Sequence, residues 1–194
     1  MTKTLTPELL LSAYAQGIFP MAPDRHSDTL HWYRPEQRGI LPLDDFHAPK
    51  SLAKFMKKRP YDLTINQDFR AVITACADTP RGYEKGTWIN DEIIEAYCAL
   101  HALGHAHSVE VWQEEALVGG LYGVSLKRAF FGESMFSRAP NASKIALVHL
   151  VGWLRENNYT LLDTQYVNEH LLQFGVREIP RGEYMKLLQN ALST

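Results

Sequence analysis

The sequence predicts an α+β (mixed α/β) fold, with a small N-terminal α/β domain over residues 1–60 and a larger domain over residues 61–194 built on a largely antiparallel sheet. Three observations carry the prediction. HSVEVWQ, ALVGGLYGVSL and RAFFGESMF follow one another after His105 with only short breaks. They are rich in β-branched and aromatic residues, the signature of a strand meander. Next come a long amphipathic stretch, ASKIALVHLVGWLRENN, and a short apolar one, YTLLDTQ. Helix followed by strand is the pattern of a parallel crossover. Finally, residues before Pro60 are broken by prolines at IFPMAP and WYRPEQRGILPL, leaving room for short strands but not for long helices.

The elements follow in order. In TPELLLSAYAQG, Thr6 is the expected N-cap, Pro7 occupies the first helical position, Glu8 lies in the first turn and Gly17 closes the helix. HAPKSLAKFMKKRP is a second helix with Leu52, Phe55 and Met56 on its apolar stripe, and Pro60 ends it at the expected domain boundary. YDLTIN is a strand, followed by a helix capped by Asn66, a Gly- and Lys-rich loop (RGYEKG) and a helix capped by Asn90 with Asp91 and Glu92 in its first turn. After the meander, Asn141 opens the crossover helix. NEHLLQF is a short helix closed by Gly175, VREIP a strand and GEYMKLLQNAL a final helix. This order suggests the acyltransferase fold of GNAT enzymes, although fold alone does not assign function.

Composition sets bounds on function. Hydrophobic residues make up 45% and charged residues 22% of the 194, as in a soluble globular protein. No apolar run has membrane-spanning length, and MTKTLTPELL lacks the features of a secretion signal. A cytoplasmic protein without a membrane partner is therefore expected, and Cys76 and Cys98 are expected as thiols. The net charge of −2 advertises no nucleic-acid partner. Locally, though, Lys50, Lys54, Lys57, Lys58 and Arg59 lie in a stretch, Phe46 to Tyr61, that holds no acidic residue. Lysines along one helix suit a phosphate backbone, while a solvated face is the plainer reading.

Two stretches suggest chemistry. In FFGESMFS, Glu133 stands among aromatics and methionine at the end of an apolar strand. In LLDTQ, Asp163 and Gln165 lie two apart, so strand alternation puts both on one face. If the crossover makes these strands neighbours, three polar side chains converge over an apolar floor of Leu121, Phe130, Phe131 and Leu162. No phosphate-binding glycine loop, GxGxxG turn or GxSxG elbow is present, and His101 and His105 lack the third ligand that a metal site needs. No cofactor and no metal are expected.

These residues carry a resemblance. AYAQGIFPM, WYRPEQRGILPL, TWI, HSVEVW, VGGLYGV, FFGESMFS, ASK, DTQ and EIPR, in this order from about Leu10 to Leu188, resemble the leucyl/phenylalanyl-tRNA–protein transferases. The resemblance implies a small N-terminal domain followed by a GNAT-like one. It also implies transfer of leucine, phenylalanine or methionine from aminoacyl-tRNA to proteins beginning with arginine or lysine, which marks them for degradation under the N-end rule. Asp163 and Gln165 match the family's D-C-Q motif, with Thr164 in place of the middle cysteine, and Glu133 matches its GES motif. Trp88 and Tyr97 match family aromatics placed to stack on the terminal adenosine, and Trp32-Tyr33 stands where two tryptophans are common.

The chemistry implied is undemanding. The donor is an activated ester, and the acceptor α-amine has a pKa of about 8. Alignment and proton acceptance are the main requirements, without a covalent nucleophile. Gln165 is expected to meet the attacking amine through its amide oxygen, with Asp163 orienting that amide, and Glu133 to face the acceptor or the aminoacyl amine. Gly132, Leu121, Phe130, Phe131 and Leu162 are expected around the side chain, with water, Asp163 or the ribose hydroxyl as final proton acceptor. Two rivals remain. An acetyl-CoA enzyme needs a glycine loop where SRAPNASK has none, and an RNA-binding module leaves the three convergent polar residues unexplained.

Overall fold

The computed structural model describes residues 5–79 and 86–193; the loop expected at RGYEKG falls, but for Gly86, outside them. Seven helices and nine strands run in the order α1 (Pro7–Ala15), β1 (Phe19–Met21), β2 (His31–Tyr33), β3 (Gln37–Ile40), α2 (Lys50–Met56), β4 (Asp62–Ile65), α3 (Phe69–Ala77), α4 (Asp91–Ala102), β5 (Ala106–Gln113), β6 (Ala116–Leu126), β7 (Ala129–Ser137), α5 (Ala142–Glu156), β8 (Leu161–Gln165), α6 (Glu169–Leu172), β9 (Arg177–Pro180) and α7 (Arg181–Ser193) among those residues. β1 and β2 form a small hairpin, and the other strands form one sheet ordered β4-β5-β6-β7-β8-β3-β9. Only β7 and β8 pair in parallel, joined through the α5 crossover; every other neighbour is antiparallel. The mixed, mostly antiparallel sheet expected from sequence is present.

Local chemistry accounts for the helix ends. Thr6 accepts from the Leu9 N–H, and Gly17 takes the left-handed conformation (φ +71°) that a residue just past a helix end favours. Asn90 accepts from the Ile93 N–H as expected. Asn66 does not cap α3. It sits at φ +61° and its Oδ1 takes the Ser108 N–H, while Asp68 caps the helix through the Ala71 N–H. Asn141 precedes α5 in a left-handed conformation and makes no side-chain cap bond.

Both faces of the sheet are covered. Phe69, Tyr97, Phe131, Phe136 and Tyr184 belong to the core on the face of α1, α3, α4 and α7. Leu52, Phe130, Leu147, Leu150 and Leu171 belong to the core on the face of α2, α5 and α6. Phe130 and Phe131 thus divide between the faces, as strand alternation requires. The boundary expected near Pro60 does not divide the sheet. β3 precedes it in sequence and is inserted between β8 and β9, pairing with both.

Candidate active site

The site is built on two irregularities. Across β6 and β7, Tyr122 faces Ser134 and Gly123 faces Gly132, so Glu133 is the extra residue of a β-bulge. A bulge re-aims a side chain and shifts the alternation beyond it. Phe131 and Phe136, five apart, consequently pack on the same face. Across β3 and β8, Gly39 faces Gln165 and Ile40 faces Asp163, which leaves Thr164 as a second extra residue. Gln165 follows it in the left-handed region (φ +62°), a conformation that costs a non-glycine residue of order 1–3 kcal/mol and persists only where surroundings impose it.

Asp163 imposes it. Its Oδ1 accepts the backbone N–H of Gln165 at 2.8 Å, and Oδ1 also takes Arg38 Nε at 2.9 Å. Oδ2 accepts Arg38 Nη2 and the Tyr184 hydroxyl, each at 2.7 Å. Arg38 in turn donates to the Gly17 carbonyl at 3.0 Å and lies 4.7 Å from the ring centres of Phe19 and Tyr184. Both members of the pair are almost inaccessible, at 2% for the arginine side chain and 0% for the aspartate. The expected contact between Asp163 and the Gln165 amide is not made: Asp163 holds the Gln165 backbone instead.

The Gln165 amide turns to Glu133. Its Nε2 donates to Glu133 Oε1 at 2.8 Å, and the Tyr14 hydroxyl donates to the same oxygen at 2.6 Å. Tyr14 also shares a short hydrogen bond with the Tyr97 hydroxyl. Glu133 as a residue is half-buried, but its Oε2 is enclosed and has no hydrogen-bond partner. Burial is the strongest influence on its carboxyl group and raises the pKa to about 7. The Asp163 charge acts the same way, and the bonds from Tyr14 and Gln165 and the Arg38 charge oppose it. Burial, reinforced by the Glu133 charge, also pushes both tyrosines well above the usual phenol range.

β7 and β8 pair only from Ala129–Leu161 to Phe131–Asp163. Beyond that point a cavity of about 450 Å³ opens, lined by Gly132, Glu133 and Thr164 and by the apolar side chains of Leu121, Met135, Leu147, Leu150 and Leu162. That size suits a small-molecule group. Leu121, Leu162 and Gly132, expected around the substrate side chain, are among the residues that line this cavity. Phe130 and Phe131 do not line the cavity. Both are fully buried in the two cores, and residues from α5 take the lining instead.

The remaining candidates lie around this centre. Tyr97 is fully buried with its ring edge-on to Tyr122, so no face is open to an adenine; its hydroxyl, through Tyr14, serves the Glu133 cluster instead. Trp88 is 9% exposed and belongs to the core, whereas Trp32 on β2 is 41% exposed. Lys50, Lys54, Lys57, Lys58 and Arg59 are all exposed, and none pairs with an acidic group among the described residues. The helix beneath them ends at Met56, earlier than Pro60 alone would dictate.

Sequence comparison decides the family. The model of the family described as "Leucyl/phenylalanyl-tRNA protein transferase" matches residues 40–189, and that of its N-terminal domain matches residues 3–36. The chain belongs to the leucyl/phenylalanyl-tRNA–protein transferase family. It is 54% identical to a leucyl/phenylalanyl-tRNA–protein transferase of Rhodopseudomonas palustris (strain HaA2), over 97% of this chain and 84% of that one. It is 53% identical to the enzyme of that name from Paramagnetospirillum magneticum (strain ATCC 700264 / AMB-1), over 98% and 91%. Among solved structures, FemX matches 82% of this chain and 60% of its own at a TM-score of 0.53 and 13% identity, a likeness of fold alone. The family enzymes are aminoacyltransferases, and the two family models cover residues 3–36 and 40–189, on either side of the start of β3.

The unassigned members of the site are Tyr14, Arg38 and Tyr184. Each lies in or beside a stretch that carries the family resemblance, yet none stands near Glu133 or Asp163 in sequence. Only the insertion of β3 and the packing of α1 and α7 bring them there.

Proposed function

We propose that this chain moves leucine, phenylalanine or methionine from aminoacyl-tRNA to the N-terminal α-amine of proteins that begin with arginine or lysine. In that reading it works in the cytoplasm as a monomer, on a GNAT-like scaffold, and feeds N-end-rule degradation. One observation carries it: Glu133, with an unpartnered oxygen, and Gln165, held in a left-handed turn, meet at the polar end of an apolar cavity. The apolar end suits an aliphatic or aromatic side chain. The carboxylate suits an amine.

In this arrangement the donor side chain occupies the space between Leu121, Met135, Leu147, Leu150 and Leu162. An apolar pocket discriminates by only about 1–3 kcal/mol per methylene, which fits overlap among leucine, phenylalanine and methionine. The ester carbonyl then lies near Gln165, whose amide oxygen remains available to an attacking amine while its –NH₂ is held by Glu133. Alignment of ester and amine supplies most of the rate. The exposed cations of α2 and its C-terminal turn contact the tRNA backbone, giving affinity without sequence readout. Trp32, 41% exposed on β2, stacks on a terminal base, a contact worth roughly 1–3 kcal/mol.

Incubation with labelled leucyl-tRNA and peptides that differ only at their first residue tests the reading. Label is expected on peptides beginning with arginine or lysine and not on acidic or acetylated ones. Absence of transfer, or acetylation of the peptide from acetyl-CoA, contradicts it.

A further inference from the structure

Acyl transfer from an ester to an ammonium group releases one proton, and few groups in this site are able to receive it. Asp163 is fully engaged, its two oxygens taking Arg38, Tyr184 and the Gln165 backbone. A glutamine amide is not a base near neutrality. Tyr14 and Tyr97 keep their protons, since burial raises both far above the working range. Glu133 remains. Its Oε1 is clamped by Tyr14 and Gln165, which fixes the carboxylate, while Oε2 is enclosed and has no partner on a residue that lines the cavity. An enclosed carboxylate oxygen without a donor is the complement of a group that brings a proton.

We infer that Glu133 is the catalytic base, its Oε2 taking the proton that the acceptor's α-ammonium loses before attack. The inference rests on the aminoacyl-transfer reading above. Carboxylate and ammonium become carboxylic acid and neutral amine. The amine nitrogen forms a bond to the ester carbonyl carbon, and the carbonyl electron pair moves onto oxygen. As that pair returns, the bond to the ribose oxygen breaks, and the nitrogen's second proton goes to the departing oxygen. Glu133 then gives its proton to water. One proton is released per turnover, and the enzyme is restored.

The surroundings suit this role. Facing the carboxyl group are Tyr14 from α1, Tyr97 from α4, Arg38 from β3 and Asp163 and Gln165 from β8. Burial outweighs the stabilising contacts and leaves Glu133 at about 7, within roughly one unit of a peptide α-amine. Matching near the working pH is what efficient proton transfer requires. His170, on α6, is the other imidazole or carboxyl group in the cavity lining; burial lowers its pKa from the ordinary histidine value, the opposite direction from Glu133.

The test is the pH dependence of kcat/KM for leucine transfer from leucyl-tRNA to an arginine-starting peptide by the full chain, Glu133→Gln, Glu133→Asp and His170→Ala. The base works as carboxylate, so activity of the parent should rise with pH through about 7. Glu133→Gln should lose that limb, keep only the amine's own limb near about 8, and fall about a hundredfold in kcat. Glu133→Asp should retain a displaced limb with reduced kcat, and His170→Ala should keep the limb in place. A limb near 7 surviving in Glu133→Gln overturns the inference. So does a change confined to the acceptor KM, which would make Glu133 a counter-ion only. Absence of transfer by the parent chain overturns the underlying reading and this inference with it.

Discussion

Arg38 and Asp163 form a two-pronged ion pair inside the protein, with Nε 2.9 Å from Oδ1 and Nη2 2.7 Å from Oδ2. It ties β3 to β8 at the point where β8 ends and the cavity opens. Through the Asp163 bond to the Gln165 N–H, the pair also holds the residue whose amide reaches Glu133. An ion pair of this kind is poor evidence of net stability, because desolvating both charges offsets their attraction. Its value here is geometric: it fixes the Gln165 turn.

Removing one partner should therefore be worse than removing both. Asp163→Ala leaves a buried guanidinium without its carboxylate and should cost about 3–5 kcal/mol. Arg38→Met should cost a similar amount. The double variant Arg38→Met, Asp163→Ala should lose less than either single variant. Urea denaturation of the four proteins measures this directly, and additive losses would show that the two side chains act independently.

The Gln165 side chain faces the cavity cluster rather than the core, so its deletion should separate activity from folding. Gln165→Ala should leave the melting temperature within a few degrees of the parent while lowering kcat for leucine transfer at least tenfold. A large stability loss would mean that the Glu133–Gln165 bond, 2.8 Å long, is chiefly structural.

Met135 lines the cavity without being fully buried, which makes it a suitable place to change pocket size. Met135→Phe should reduce transfer of phenylalanine more than transfer of leucine, shifting the ratio of their kcat/KM values about tenfold, the scale expected of an apolar pocket. An unchanged ratio would place the donor side chain elsewhere.

The cations of α2 and its C-terminal turn make no ion pair among the described residues. Changing Lys54, Lys57 and Lys58 to glutamate should weaken tRNA binding and lower the slope of log affinity against log salt by roughly 2–3, given about 0.7–0.9 per phosphate contact. An unaltered slope in a filter-binding titration would make this face a solvated one.

Much of this was legible in the residues, for identifiable reasons. The meander, the α5 crossover and the helix at Asn90 depend on local periodicity and caps, which short stretches of sequence contain. Glu133 stands out in the sequence because a carboxylate in an apolar run needs a partner or a role. Its aim was not legible, since a bulge depends on the register against β6, a property of two strands. Asp163 and Gln165 come together with Glu133 through a bulge at Thr164 and a left-handed Gln165, neither of which regular strand alternation reveals. The insertion of β3 between β8 and β9 was not legible, because β3 is only four residues long, Gln37–Ile40. So short a strand reveals nothing of its partners, and Arg38 rides on it into the site.

The central claim is that aminoacyl transfer takes place where Glu133 and Gln165 meet. The rate at which labelled leucine passes from leucyl-tRNA to an arginine-starting peptide, compared between the parent chain and Glu133→Gln at a pH above 7, tests it most directly. The account predicts transfer by the parent and a loss of about a hundredfold in the variant, with both proteins equally folded by circular dichroism. Equal rates from two folded proteins would contradict it.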